Sequence, residues 1–93
     1  MSYILDISDE MRELYIQHRK KDLLRCHTAL ETSDFSFLEK IGHQVKGNAI
    51  SFGFEDLTSL ALELETAAKD HNVPNLKKVL REFNEVIQKF SNC

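Results

Sequence analysis

The chain has 93 residues, a formal net charge of -3, a hydrophobic fraction of 42% and a charged fraction of 29%. That length allows one domain with one core, and the composition excludes both a disordered chain and an apolar membrane protein. The acidic balance excludes a general nucleic-acid binder, whose phosphate contacts need a clustered basic excess.

The opening "MSYILDISDE" lacks the basic and apolar regions of a signal peptide, and no apolar run approaches the roughly 18 residues of a spanning helix. A cytoplasmic protein is expected, with Cys26 and Cys93 as reduced thiols, since two cysteines in no metal or redox spacing make a poor disulfide framework. One proline, three glycines and no alternating apolar-polar runs predict an all-α chain.

In chain order, Ser8 is the first candidate N-cap, with Asp9 and Glu10 at the positive end of a helix dipole. Met11, Leu14, Tyr15 and His18 are expected to share its inner face. Continued at helical spacing, that stripe meets Asp22 and Arg25, while apolar positions resume at Leu23, Leu24, Cys26, His27 and Leu30. The apparent change of phase at "HRKKD" predicts either a short helix before a longer one or a kink. His18 and His27 are expected at the edge of the core with hydrogen-bond partners.

"ETSDFSFLEK" supplies a break and a restart, with Ser33 or Asp34 as cap and Ser36-x-x-Glu39 matching a capping box. The next stripe is Phe35, Leu38, Ile41, Val45, Ala49 and Phe52, ended by Gly53 as a left-handed cap. Leu57, Leu60, Leu64, Ala67 and Ala68 form the third stripe, with His71 in its helix's last turn. Pro74 belongs in the first turn of the last helix, whose stripe is Leu76, Val79, Leu80, Phe83, Val86, Ile87 and Phe90. Short connections then give an antiparallel up-down-up-down four-helix bundle with a short additional N-terminal helix, a single domain over 1–93. Its four stripes satisfy one another, so a monomer is expected.

Core formation does not account for "GHQVKG". His43 lies about 200° around the helix from Val45 and therefore projects to solvent. Lys46 and Gly47, at i+3 and i+4, share its face. An exposed imidazole is largely neutral at pH 7 and keeps one ring nitrogen with a lone pair able to attack phosphorus. The phosphohistidine so formed carries close to two negative charges, which an ammonium about 5–6 Å along the helix stabilises. A glycine at i+4 leaves room for the phosphoryl group and its donor.

The pattern His43-x-x-Lys46-Gly47, with Asn48-Ala49, Gly53-Phe54 and the continuation "LTSLALELE", resembles the signature of histidine phosphotransfer (HPt) domains over the whole chain. The resemblance implies that His43 is the phosphorylated residue, Lys46 the phosphate partner, Gly47 the steric clearance and Gly53 the turn. It further implies that Glu65, 22 positions after the histidine, orients the imidazole. Gln44 and Asn48 would be polar neighbours, and Ile50, Phe54 and Leu62 an apolar docking surface.

The chain has no Gly-rich phosphate loop and no paired Mg²⁺ carboxylates, so the phosphoryl group is expected from a partner. By resemblance, donor and acceptor are response-regulator receiver domains, the donor belonging to a hybrid sensor histidine kinase, with Mg²⁺ in the receiver and no cofactor on this chain. Two other readings compete: a non-catalytic docking module that binds or inhibits a kinase or receiver, and a phosphotransfer domain cut from a longer kinase. The intact His-x-x-Lys-Gly weighs against the first, and the initial Met and the end at "QKFSNC" favour a free-standing chain.

Overall fold

The computed structural model describes residues 8–91. Four α-helices make up those residues, with no strand among them: α1 (Asp9–Glu31), α2 (Phe35–Asn48), α3 (Glu55–Lys69) and α4 (Val73–Ser91). A 3-10 turn, Ile50–Phe52, links α2 to α3. Packing is closest between α2 and α3. The bundle closes through α3 on α4, α4 on α1 and α1 on α2.

The helix ends follow local chemistry. Ser8 accepts from the Met11 amide at the start of α1, as the sequence suggests. At α2 the cap is Asp34, which accepts from the Phe37 amide. The expected capping box at Ser36 and Glu39 does not form, because Asp34 starts the helix two residues earlier and leaves Ser36 inside its first turn. Asn72 accepts from the Asn75 amide and Pro74 falls in the first turn of α4, where a missing N–H costs nothing. Gly53 adopts φ 82°, the left-handed turn expected of it.

α1 departs most from expectation. It runs as one continuous 23-residue helix through "HRKKD", and no additional helix precedes it among the described residues; residues 1–7 lie outside them. Its inner face is Tyr15, Ile16, Leu23, Cys26 and Ala29, and this stripe passes through Arg19 and Asp22 without a change of phase. Arg19 and Asp22 lie in line with the core because they pair with each other at 2.8 Å, with side chains only 14% and 16% exposed. The Arg19 guanidinium also lies 4.6 Å from the centre of the Tyr15 ring. Met11 and Leu14, expected inside, are exposed, as are His18 and His27, expected at the core edge.

The other three stripes pack largely as read, with Leu38, Val45, Leu57, Leu64, Leu76, Val79, Leu80 and Ile87 fully buried. Leu60, Phe35, Phe52, Val86 and Phe90 border the core rather than fill it. His71 lies just beyond α3 rather than in its last turn. It adopts φ 54° and stacks its ring on Phe35 at 4.2 Å.

Candidate functional site

α2 and α3 approach closely enough at Gly42 that their backbones touch. A Cβ on Gly42 would lie 2.7 Å from the Glu65 amide nitrogen and 2.8 Å from the Ala61 carbonyl oxygen. Only glycine permits this approach, which puts Glu65 of α3 beneath the next turn of α2. There its carboxylate meets two of the residues singled out in the sequence.

Glu65 is the one buried charged side chain among the described residues. Lys46 Nζ donates to its Oε1 at 2.7 Å, and the His43 ring lies with Nδ1 3.1 Å from its Oε2. The Lys46 hydrogen bond holds the Glu65 carboxyl below its ordinary 4.5, burial opposes that shift, and the His43 contact reinforces it. Glu65 is therefore ionised at neutral pH and only accepts. Nδ1 must supply the hydrogen of the His43–Glu65 bond, and in the neutral ring the lone pair is left on Nε2. The His43 side chain is 70% exposed, Lys46 35% and Glu65 9%. The carboxylate is a fixed anchor below, and the imidazole stands out into solvent.

A shallow depression beside the histidine is lined by Ser36, Glu39, Lys40, His43, Gln44 and Glu65. Gln44 is exposed within it. Gly47, one turn from His43, has no heavy atom of the described residues within 4 Å of where a Cβ would project. Packing among the described residues does not require glycine there.

The remaining expected residues divide. Ile50 and Leu62 are exposed, as an apolar docking surface requires. Phe54 is not: it is 2% exposed, edge-on to Phe90, stacked on Tyr15 and covered by the Arg12 guanidinium. As the residue that caps α3 it continues that helix's buried row of Leu57, Ala61, Leu64 and Ala68, so it belongs to the core and cannot present a docking surface. Asn48 is half-buried and committed to the bundle, since its Oδ1 accepts from the Tyr15 hydroxyl. Burial holds the Tyr15 phenol above 10.0, which keeps it a donor.

Two elements of the site lie outside the sequence expectations: the Lys46–Glu65 ion pair and the place of Lys40 in the depression. The first has no signal in sequence, because Lys46 and Glu65 lie on different helices. The second could have been found, since Lys40 stands at i−3 from His43.

The Hpt domain family model matches residues 10–92, nearly the whole chain. The chain belongs to the Hpt domain family. Hpt domains are phosphotransfer carriers rather than kinases, and they work with receiver domains and kinases in two-component phosphorelays. This chain is accordingly a phosphorelay component built on a helical bundle. No curated protein and no solved structure matches it significantly. No helix among the described residues is long and apolar enough to cross a membrane.

Proposed function

We propose that this Hpt domain accepts a phosphoryl group from a receiver-domain aspartate onto His43 Nε2 and passes it to another receiver aspartate. The observation that carries this reading is the orientation of one exposed ring: an ionised, buried Glu65 holds the Nδ1 hydrogen of His43 and leaves the nucleophilic nitrogen facing out.

The step balances without moving a proton. The Nε2 lone pair forms the N–P bond as the P–O bond to the aspartyl carboxylate breaks, and the electron pair leaves with that carboxylate. The ring keeps its Nδ1 hydrogen and gains positive character, which the Glu65 carboxylate stabilises. The reverse step returns the group to a carboxylate. Lys46 provides positive charge one turn away, Gly47 the clearance for the donor, and Ile50, Leu62 and Gln44 the surrounding docking surface. Mg²⁺ is brought by the receiver.

The short connections support an up-down-up-down course, and we read the chain as a single-domain, monomeric, cytoplasmic carrier with a hybrid sensor kinase as its upstream partner. Intact-mass spectrometry after incubation with a phosphorylated receiver and Mg²⁺ tests the reading. An acid-labile phosphoryl mass gain in the wild type, absent in His43→Gln, is expected. Equal gain in both proteins would remove His43 from the role, and tight receiver binding with no gain would make the domain a docking module.

A further inference from the structure

The resemblance assigns phosphate stabilisation to Lys46, yet the structure commits Lys46 to Glu65 at 2.7 Å and leaves it out of the depression that adjoins His43. The ammonium that does line the depression is Lys40. It stands at i−3 from His43, which places the two Cβ atoms about 5–6 Å apart on one helix face. Lys40 is exposed and forms no ion pair among the described residues. The other charged side chains of the depression are carboxylates, Glu39 and Glu65. Without Lys40, a phosphoryl group on His43 would face only negative charge from that side. Glu65 is neutralised from behind by Lys46, whereas Glu39 has no cation other than Lys40 lining the same depression.

We infer that Lys40 is the uncommitted cation of this site, an ammonium that contacts the phosphoryl oxygens of phosphorylated His43 while Lys46 remains the partner of Glu65. The inference rests on the assignment of the phosphoryl group to His43. It adds a binding residue outside the His-x-x-Lys-Gly pattern, on the N-terminal side of the histidine. The transfer step keeps the balance given above, because Lys40 gives and takes no proton and contributes only charge and hydrogen-bond donors.

The test phosphorylates the full chain with phosphoramidate, a small donor that needs no docking surface, and follows the phosphohistidine signal by ³¹P NMR as pH is varied. An ammonium against the phosphoryl oxygens favours their dianion. Lys40→Ala should therefore raise the midpoint of the phosphoryl group's second ionisation by about 0.5–0.8 unit, the effect of one charge about 4 Å away in a watery, salt-screened setting. Lys40→Arg should restore the wild-type midpoint. With no receiver present, a residue that served only docking would leave it unmoved. A His43-dependent signal whose midpoint is the same in wild type and Lys40→Ala would overturn the role of Lys40 and leave the phosphohistidine standing. A phosphorylated protein whose signal survives in His43→Gln would overturn the assignment to His43 itself, and this inference with it.

Discussion

Gly42 and Glu65 touch through their backbones: the glycine lacks the one atom that would stand 2.7 Å from the Glu65 amide nitrogen. The contact fixes the separation of α2 and α3 at the level of His43, and the reach of the Glu65 carboxylate to the imidazole depends on it. Gly42→Ala gains up to about 1 kcal/mol of helix propensity. It also drives a methyl group into backbone on both near sides, which cannot rotate away, and such overpacking costs about 1–3 kcal/mol. The clash wins. A net loss of about 1–2 kcal/mol should lower Tm by about 5–15 °C, measured by circular dichroism, with slower phosphotransfer as Glu65 is displaced. An unchanged Tm would mean that the two helices can part without cost.

Gly47 gives the opposite forecast from the same helix. A methyl group there meets nothing within 4 Å among the described residues, so Gly47→Ala should stabilise the helix by about 0.5–1 kcal/mol and raise Tm by a few degrees. If the glycine serves a docking partner, transfer from a receiver should slow even as stability rises. Phosphorylation by a small donor such as phosphoramidate should be affected much less. A variant that is more stable and equally fast with receivers would deny Gly47 the clearance role.

Cys26 is buried in the core, and burial pushes its thiol up to about 12. In a Cys93→Ser background, the folded protein should react with an aromatic disulfide reagent at pH 8 only through transient unfolding. The rate should rise steeply with urea and follow the fraction unfolded. Prompt reaction without denaturant would contradict the packing of α1.

The apolar pattern is plain in three helices and concealed in α1. α2, α3 and α4 alternate clean apolar stripes with polar faces, so the period alone places Leu38, Val45, Leu57, Leu64, Leu80 and Ile87 inside. α1 hides its inner face because Arg19 and Asp22 sit in the apolar row and satisfy each other there; charge in sequence looks like surface until its partner is seen. The resemblance puts Phe54 on the docking surface, although its spacing to Leu57, Ala61 and Leu64 marks it as core. His43 and Glu65 were legible through the motif. The Lys46–Glu65 pair was not, because neither its geometry nor its partner is written locally.

The Tyr15 hydroxyl and Asn48 Oδ1 tie α1 to the last residue of α2. Tyr15→Phe keeps the stacks on Phe52 and Phe54 and removes only the donor. It leaves a half-buried carboxamide unpaired at a cost of about 1 kcal/mol. Urea unfolding should show this as a lower midpoint with an unchanged slope. An unchanged midpoint would mean that water replaces the hydroxyl at no cost.

Glu65 links stability, pH and tautomer in one side chain. Its carboxyl is held below 4.5 in the fold by Lys46 first, with His43 adding and burial opposing. A depressed carboxyl stabilises the folded state above the unfolded-state value and loses that contribution as pH falls through the folded one. Wild-type stability should therefore drop as pH falls below about 4.5, and Glu65→Gln, which has no proton to take up, should flatten that limb of the profile. The same substitution alters the ring. A glutamine can still accept from Lys46 through its oxygen, but its amide then turns N–H toward His43, where Nδ1 must accept and Nε2 must carry the hydrogen. The lone pair proposed to attack phosphorus is thereby lost. Glu65→Gln should fold well at neutral pH and accept the phosphoryl group slowly, with ¹⁵N NMR of the imidazole reporting the exchanged tautomer. Rapid acceptance with the hydrogen on Nε2 would show that Glu65 anchors the helices and has no part in orienting the nucleophile.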